Sequence, residues 1–511
     1  MMPRNLVVCC DGTWCTPKQE AGALPAPTNV VKLHRLCLSD DQQRVYYHPG
    51  VGADGNLVER LLGGAIGLGL SRNILSAYRW LCDHYRSGDR IFLFGFSRGA
   101  YTVRSLGGFI ARCGLVDLSR RSNRQAWTAV EKAYEHGYRK GQEATQWGAD
   151  FRFLAGALPD GQPLIHMIGV WDTVGSLGIP DDLVLFDQIL DDPSNYRFHD
   201  TQLGPAVRHG RHALAMDEQR ASFSPTLWTD AQRSVDGSVK QLWFVGTHED
   251  VGGGYQDCGL SDGTLQWMVD EAKALGLRVN PALACQLSPD PRGVLHESPG
   301  GVWKHLRTLP RATPLVAAKS VGRDLAEQVW DRHQVPPLAQ APYWPTRVLG
   351  VGESASAAVF ARQHWNATGL YLEGGVNYAF VANGEWLDST IPCGPGGVDE
   401  GQFNIGELAH LLGNAIGEGE AIYQRLTGKE AADWWGSRRR EDAPWFALMG
   451  MIANQPNMDG SGTAIEGESF VIGEQCTFKP LRPGYLYCYA NDAWKFYGNN
   501  RGQLSVTVSH K

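Results

Sequence analysis

Ile91-Phe92-Leu93-Phe94-Gly95-Phe96-Ser97-Arg98-Gly99-Ala100 is the stretch that decides the reading of this chain. An apolar run stops at a G-x-S-x-G, and a helix-compatible segment, Ala100 to Arg112, follows. Strand, tight turn, helix is the context of a nucleophile elbow. The turn holds the serine in a strained backbone position and aims its hydroxyl out of the sheet. The flanking glycines have no Cβ to clash there. Glycine and serine are common, so the pentapeptide alone could be an ordinary βα turn. Its place between strand and helix marks Ser97 as a nucleophile.

The same alternation extends on both sides. Leu6 to Cys10 reads as a strand ending at Asp11-Gly12-Thr13, and Arg44 to His48 as another ending at Pro49-Gly50-Val51-Gly52. Ile74 to Tyr85 has helical periodicity. Gln125 to Glu143 reads as one amphipathic helix whose Trp127, Tyr134 and Tyr138 form a stripe packed on the core. Leu164 to Val170 is a strand leading into Trp171-Asp172-Thr173-Val174-Gly175. Val239 to Val245 leads into Gly246-Thr247-His248, and Leu260 to Leu275 resumes as helix. Alternating strands and helices imply a mainly parallel sheet with helices on both faces, its functional groups at the carboxyl ends of the strands.

Beyond about Gly350 the texture changes to short alternating segments joined by Gly-, Asn- and Pro-rich turns, which predicts a β-sandwich. Asn404 to Arg425 reads as a helical insertion within it. Pro, Gly and Arg crowd Pro289 to Pro314, and Pro336-Pro337, Pro342 and Pro345 follow. The expected organisation is a catalytic domain over 1–310, a linker or irregular edge over 311–350, and a sandwich over 351–511 with a helical insertion at about 404–440.

The bulk numbers narrow the class. At 511 residues the chain is too long for one core. With 43% hydrophobic and 20% charged residues it has a globular composition. A net charge of −7 with both signs interspersed argues against a nucleic-acid partner. No stretch reaches transmembrane length, Leu61 to Leu70 coming nearest. Asn5 to Cys10 reads as a strand rather than the core of a signal peptide. Eleven cysteines, an odd number without metal spacing, read as buried free thiols of a chain made in a reducing cytoplasm.

A serine hydroxyl needs a base to take its proton, and the base needs a third group to set its tautomer. Asp172 and His248 both follow strands, in the chain order Ser, Asp, His. His248 also precedes the glycine run Gly252-Gly253-Gly254. Its rivals are His209, His212, His296 and His305; Asp172 could instead cap a turn, and Asp250 is a second candidate acid. The oxyanion donors would be the Arg98 amide and an amide of Gly12 or Thr13.

Five motifs occur in order: Cys10-Asp11-Gly12-Thr13-Trp14, Gly95 to Ala100, Val170 to Gly175, His212 to Glu218, and Trp243 to Gly254. Together they resemble the α/β-hydrolase family that includes type VI secretion lipase effectors, over about residues 1–310. That resemblance implies a serine phospholipase cleaving an acyl ester of membrane glycerophospholipid, with Ser97, Asp172 and His248 as its triad and no cofactor in catalysis. It also implies an antibacterial toxin, made in the bacterial cytoplasm without a signal peptide, handed to a secretion-apparatus component, released into the target-cell periplasm and neutralised in the producer by an immunity protein.

Near the C-terminus, Tyr489-Ala490-Asn491-Asp492, Tyr497-Gly498-Asn499-Asn500 and Leu504 to Val508 are similar to the calcium loop of a galactose-binding bacterial lectin sandwich. Asp492, Asn499 and Asn500 would supply oxygens to Ca2+, the resemblance implies a further backbone carbonyl from an earlier loop near Trp386-Leu387-Asp388-Ser389, and a glycan is the implied ligand. The long insertion and Trp494-Lys495-Phe496 depart from the lectin pattern. Two other functions stay open at this point. One is a carboxylesterase acting on acylated carbohydrate brought by the lectin-like domain, and the other is a non-catalytic glycan-binding module.

Overall fold

Six strands, β1 (Asn5–Cys10), β2 (Gln43–His48), β3 (Arg90–Phe96), β4 (Ile165–Trp171), β5 (Val207–Ala215) and β6 (Val239–Phe244), form one sheet. Its order is β6-β5-β4-β3-β1-β2, and every neighbouring pair is parallel. The computed structural model describes residues 3–12, 20–21, 24–50, 65–156, 162–174, 203–229, 231–298, 307–340, 342–398, 439–456, 465–494 and 496–511. Thr13, His305 and the expected insertion up to residue 438 lie outside the described residues.

A parallel sheet must be covered on both faces. The helices include α1 (Asn29–Leu36), α2 (Ala65–His84), α3 (Arg98–Cys113), α4 (Asn123–Lys132), α5 (His248–Gly252) and α6 (Gly259–Ala274). Alternate residues of β1 divide between two cores. Leu6, Val8 and Cys10 join Tyr78 and Leu81 of α2 and Val103, Leu106 and Phe109 of α3. Val7 and Cys9 join Leu33 of α1 and Leu265, Met268 and Val269 of α6. The strand order reverses beside β1, so the loops after β1 and β3 flank a topological switch point, where open α/β sheets bind ligands.

Two elements differ from the sequence expectation. β5 begins Val207-Arg208-His209-Gly210-Arg211-His212, which looks too polar for a central strand. Arg211 is buried because Glu271 accepts from its Nε at 2.6 Å, and His212 because its Nε2 accepts the Thr173 amide at 3.1 Å. The helix expected over Gln125 to Glu143 starts with a Ser122–Gln125 capping box but ends at Lys132, giving way to a π-helical turn over Ala133–Arg139. There Gly137 sits where a Cβ would lie 2.6 Å from Cys113 Sγ and 2.7 Å from the Trp147 ring. Tyr134 and Tyr138 do pack on Phe109, whereas Trp127 lies under the Arg79 guanidinium.

The chain divides into two compact units, Met1–Tyr343 with Pro456–Ile465, and Trp344–Gln455 with Glu466–Lys511. In the first, Leu325, Val329 and Arg332 are fully buried. The second holds β7 (Ser354–Phe360), β8 (Asn366–Leu372), β9 (Tyr378–Asp388), β10 (Ile391–Cys393), β11 (Leu448–Ala453), β12 (Glu468–Val471), β13 (Gln475–Phe478), β14 (Gly484–Ala490) and β15 (Arg501–His510). They make two antiparallel sheets, β7-β15-β9-β10 with β13 on β9, and β8-β14-β11-β12. Leu370, Phe380, Trp386, Leu448, Leu486 and Val506 share their core. The architecture is an α/β-hydrolase-type sheet with a β-sandwich unit. Among the described residues no helix is long and apolar enough to cross a membrane.

Candidate active site

Ser97 stands between the end of β3 and the start of α3 with φ 57° and ψ −122°. A side chain in that region costs about 1–3 kcal/mol and persists only where the surroundings enforce it. Here the Ser97 amide donates to the Trp171 carbonyl of the next strand at 3.1 Å. A Cβ on Gly95 would lie 2.3 Å from the Gly99 carbonyl oxygen, and one on Gly99 2.1 Å from that of Cys10. Glycine at both positions lets the turn fold and α3 sit against β1. Arg98 opens α3, where the helix dipole favours negative charge.

Asp172 follows β4 in the left-handed region, with φ 36°. Its amide donates to the Ala213 carbonyl at 2.7 Å, which turns the fully buried carboxylate towards the strand ends. His248, first residue of α5, lies 2.6 Å away, Nδ1 to Asp172 Oδ2. When that nitrogen donates, the neutral ring presents Nε2 as a proton acceptor. The imidazole is buried against two aromatic rings, Phe96 at 4.6 Å and Phe223 edge-on at 4.9 Å. A Cβ on Gly252 would lie 1.9 Å from the Phe96 ring, so α5 reaches this position only because it ends in glycine.

Ser97 directly follows Phe96, whose ring packs on the imidazole, and among the described residues no hydrogen bond joins the Ser97 hydroxyl to His248. Such contacts are often long until a substrate is bound. Gly12 is differently engaged: its amide donates to Asp11 Oδ1 at 2.8 Å, and Asp11 also accepts from Thr28 Oγ1 and Tyr47 Oη, each at 2.8 Å. In this arrangement the Gly12 amide faces its own neighbour's carboxylate rather than the elbow.

The rival groups have other partners. Burial drives the His212 pKa down to about 3, so that imidazole is a neutral acceptor inside β5. Burial and neighbouring arginines lower His209 to about 4. Asp250 turns away from His248 to accept from Thr247 N at 3.0 Å and to meet His296 Nδ1 at 2.6 Å.

Two features escaped the sequence reading. Arg311 places Nη1 2.7 Å from Asp172 Oδ1 and Nη2 2.9 Å from Oδ2. Burial would raise the Asp172 pKa, but the Arg311 charge and the His248 hydrogen bond outweigh it and hold the carboxyl well below its usual range. No motif surrounds Arg311. Glu218, inside one of the quoted motifs, is buried and lies 2.8 Å from Arg220; burial raises its pKa, yet Arg220 brings it down to about 2.

In the sandwich unit, Asp492 Oδ2 accepts from Asn500 Nδ2 at 2.9 Å, and Asp388 Oδ1 from Asn499 Nδ2 at 3.1 Å. The buried Oδ1 atoms of Asn499 and Asn500 have no hydrogen-bond partner among the described residues. Burial, with the nearby Asp388 charge adding to it, pushes the Asp492 carboxyl up to about 7. Among the described residues no three His, Cys, Asp or Glu side chains converge as a metal site. The donors here are two carboxylates and two orphaned amide oxygens, a set that suits a hard cation. Arg439 stacks on Tyr489 at 3.6 Å and Trp365 at 4.0 Å.

Several known proteins are similar to this chain. "Uncharacterized protein YEL023C" of Saccharomyces cerevisiae (strain ATCC 204508 / S288c) is 31% identical over 243 residues, 44% of this chain and 33% of that protein. A solved structure described as the Tle1 effector bound to the VgrG spike from the Type 6 secretion system is 17% identical, covering 50% of this chain and 52% of that one, with a TM-score of 0.28. The EclA N-terminal domain, a PllA-like lectin, is 17% identical, covering 30% of this chain and 95% of that one, with a TM-score of 0.19. This chain thus spans a third of the curated relative and about half of the Tle1 effector. A sequence model described as "T6SS, Phospholipase effector Tle1-like, catalytic domain" matches residues 4–271, more than half of the chain. The chain therefore belongs to the Tle1-like family of type VI secretion phospholipase effectors.

Proposed function

We propose that this protein is a serine hydrolase that cleaves acyl esters of membrane phospholipids and acts as a secreted antibacterial effector. The observation that carries the reading is the buried 2.6 Å contact between Asp172 and His248 at the strand ends where the strained Ser97 elbow opens. In the reaction Ser97 Oγ attacks the acyl carbonyl while His248 Nε2 takes its proton. The imidazolium is stabilised by Asp172 and returns the proton to the leaving alcohol. The Arg98 amide is one oxyanion donor, and with the Gly12 amide held by Asp11, Thr13 is the remaining candidate for the other. Water then repeats the sequence on the acyl-serine. Secretion into a target cell, docking on a secretion component and neutralisation by an immunity protein follow from family membership as part of the same proposal.

The test is release of fatty acid and lysolipid from mixed phospholipid vesicles, read by mass spectrometry for wild type and Ser97→Ala. Release by wild type and none by the variant is expected. Release from acylated carbohydrate alone would favour the carboxylesterase reading. No release, with no fluorophosphonate labelling of Ser97, would leave only a binding module. We further propose that Asp492, Asn499 and Asn500, joined by Asp388, hold a structural Ca2+ in the sandwich unit. The orphaned Asn499 and Asn500 oxygens support it, and a cation there would neutralise the facing carboxylates.

A further inference from the structure

Arg311 lies outside the family-matched segment 4–271, in a stretch whose sequence suggests only a linker or an edge. The fold nonetheless brings it to the proposed active site. The Leu309 amide donates to the Gln219 carbonyl at 2.7 Å and the Ala221 amide to the Arg307 carbonyl at 3.1 Å, so residues 307–309 run along 219–221 like an added strand. That pairing delivers the Arg311 side chain, 7% exposed, to the back of Asp172.

The guanidinium makes four hydrogen bonds there. Nη1 donates to Asp172 Oδ1 at 2.7 Å and to the Ala215 carbonyl at 2.6 Å. Nη2 donates to Asp172 Oδ2 at 2.9 Å and to the Phe223 carbonyl at 2.6 Å. The fork therefore touches two of the groups that hold His248, the carboxylate bonded to its Nδ1 and the backbone of Phe223, whose ring meets the imidazole edge-on. A planar fork fixes the carboxylate plane, which a point charge cannot do.

We propose that Arg311 is a positioning residue of this active site, fixing the Asp172 carboxylate and the Phe223 wall so that His248 meets Ser97 in one tautomer and one orientation. The proposal rests on the serine-hydrolase reading. Its charge has a second consequence. Shared between guanidinium and imidazole, the Asp172 carboxylate stabilises the imidazolium less than an unshared one would. Among the described residues, Arg104 and Arg311 act on His212, Arg220 and Arg311 act on Glu218, and Glu249 lies 3.4 Å from Arg220.

The experiment uses the full chain, a short-chain p-nitrophenyl ester as soluble probe, and active-site titration by fluorophosphonate so that rates refer to folded sites. Arg311→Lys keeps the charge and most of the volume. It is expected to lower kcat about 100-fold, the loss a misplacement of about 1 Å brings, with KM within about twofold and the acid limb of the kcat/KM profile in place. Arg311→Met is expected to lower kcat as well and to move that limb to higher pH. Should Arg311→Met fail to fold, Arg311→Lys carries the test. Wild-type kcat in the labelled fraction of Arg311→Lys, with only a lower Tm, would make Arg311 a packing residue and overturn the proposal. Wild type that neither reacts at Ser97 nor turns over the ester would overturn the hydrolase reading itself, and the positioning role with it.

Discussion

At Ser97 the backbone is strained for any residue with a Cβ, φ being 57°. Replacing the serine separates that strain from chemistry. Ser97→Ala removes the hydroxyl and keeps the Cβ; Ser97→Gly removes both. Both variants are expected to lose ester hydrolysis, while Ser97→Gly should be more stable than Ser97→Ala by about 1 kcal/mol, at the low end of the strain such a conformation stores. Denaturant unfolding of the two variants checks this, and equal stability would mean that the elbow is relaxed. The three residues of the proposed triad could be named from sequence because each stands within three residues of the end of an apolar run, a position defined by local sequence. Arg311 was not. A lone arginine among prolines reads as solvated surface, and only chain pairing across some ninety residues, from 219–221 to 307–309, shows what it faces.

Helix α5 is five residues long, too short to persist on propensity alone. Its hold comes from Asp250, which accepts from Thr247 N and Oγ1 and from His296 N, and pairs with His296 Nδ1 at 2.6 Å. The His296 ring stacks on Tyr255 at 3.7 Å, and Glu249 and Asp257 add negative charge around it. Burial lowers the His296 pKa, but Asp250 outweighs it and the net shift is upward from 6.5. A raised folded-state pKa contributes stability that is fully present below 6.5 and is lost as pH rises through the folded value. The Tm of wild type minus that of His296→Ala should therefore be larger at pH 6 than at pH 9. A difference that is flat or grows with pH would show that the pair contributes no charge-linked stability. Elements were legible where periodicity and burial agree, as in β1, β3 and β4. β5 was hidden because its buried Arg211 and His212 have partners on α6 and in the turn after β4, which no window of sequence contains. The helix expected through Glu143 ends early because Gly137 answers to Trp147 and Cys113 rather than to helical propensity.

Over the whole molecule, two units each close around cores of their own, the first on the two faces of a parallel sheet and the second between antiparallel sheets. The change from alternating strand and helix to strand alone was visible in composition and turn residues. The cation cluster was visible only in part: the lectin resemblance pointed to a backbone carbonyl near Trp386 to Ser389, and only the structure brings the Asp388 carboxylate to Asn499, more than a hundred residues further on. A cation held by the second unit alone should act on that unit's unfolding and leave Ser97 chemistry unchanged. Binding to the folded state adds about 2.7 kcal/mol at a hundredfold excess over Kd, or about 5–10 °C in Tm for a unit of this size. The expected outcome is a calcium-dependent rise in one thermal transition of the full chain, reversed by chelator and absent in Asp492→Ala, with fluorophosphonate labelling of Ser97 unaffected. Asp388→Ala should reduce the rise, since one of two facing carboxylates is gone. A Tm indifferent to calcium and chelator in wild type would mean that the orphaned oxygens of Asn499 and Asn500 hold no cation.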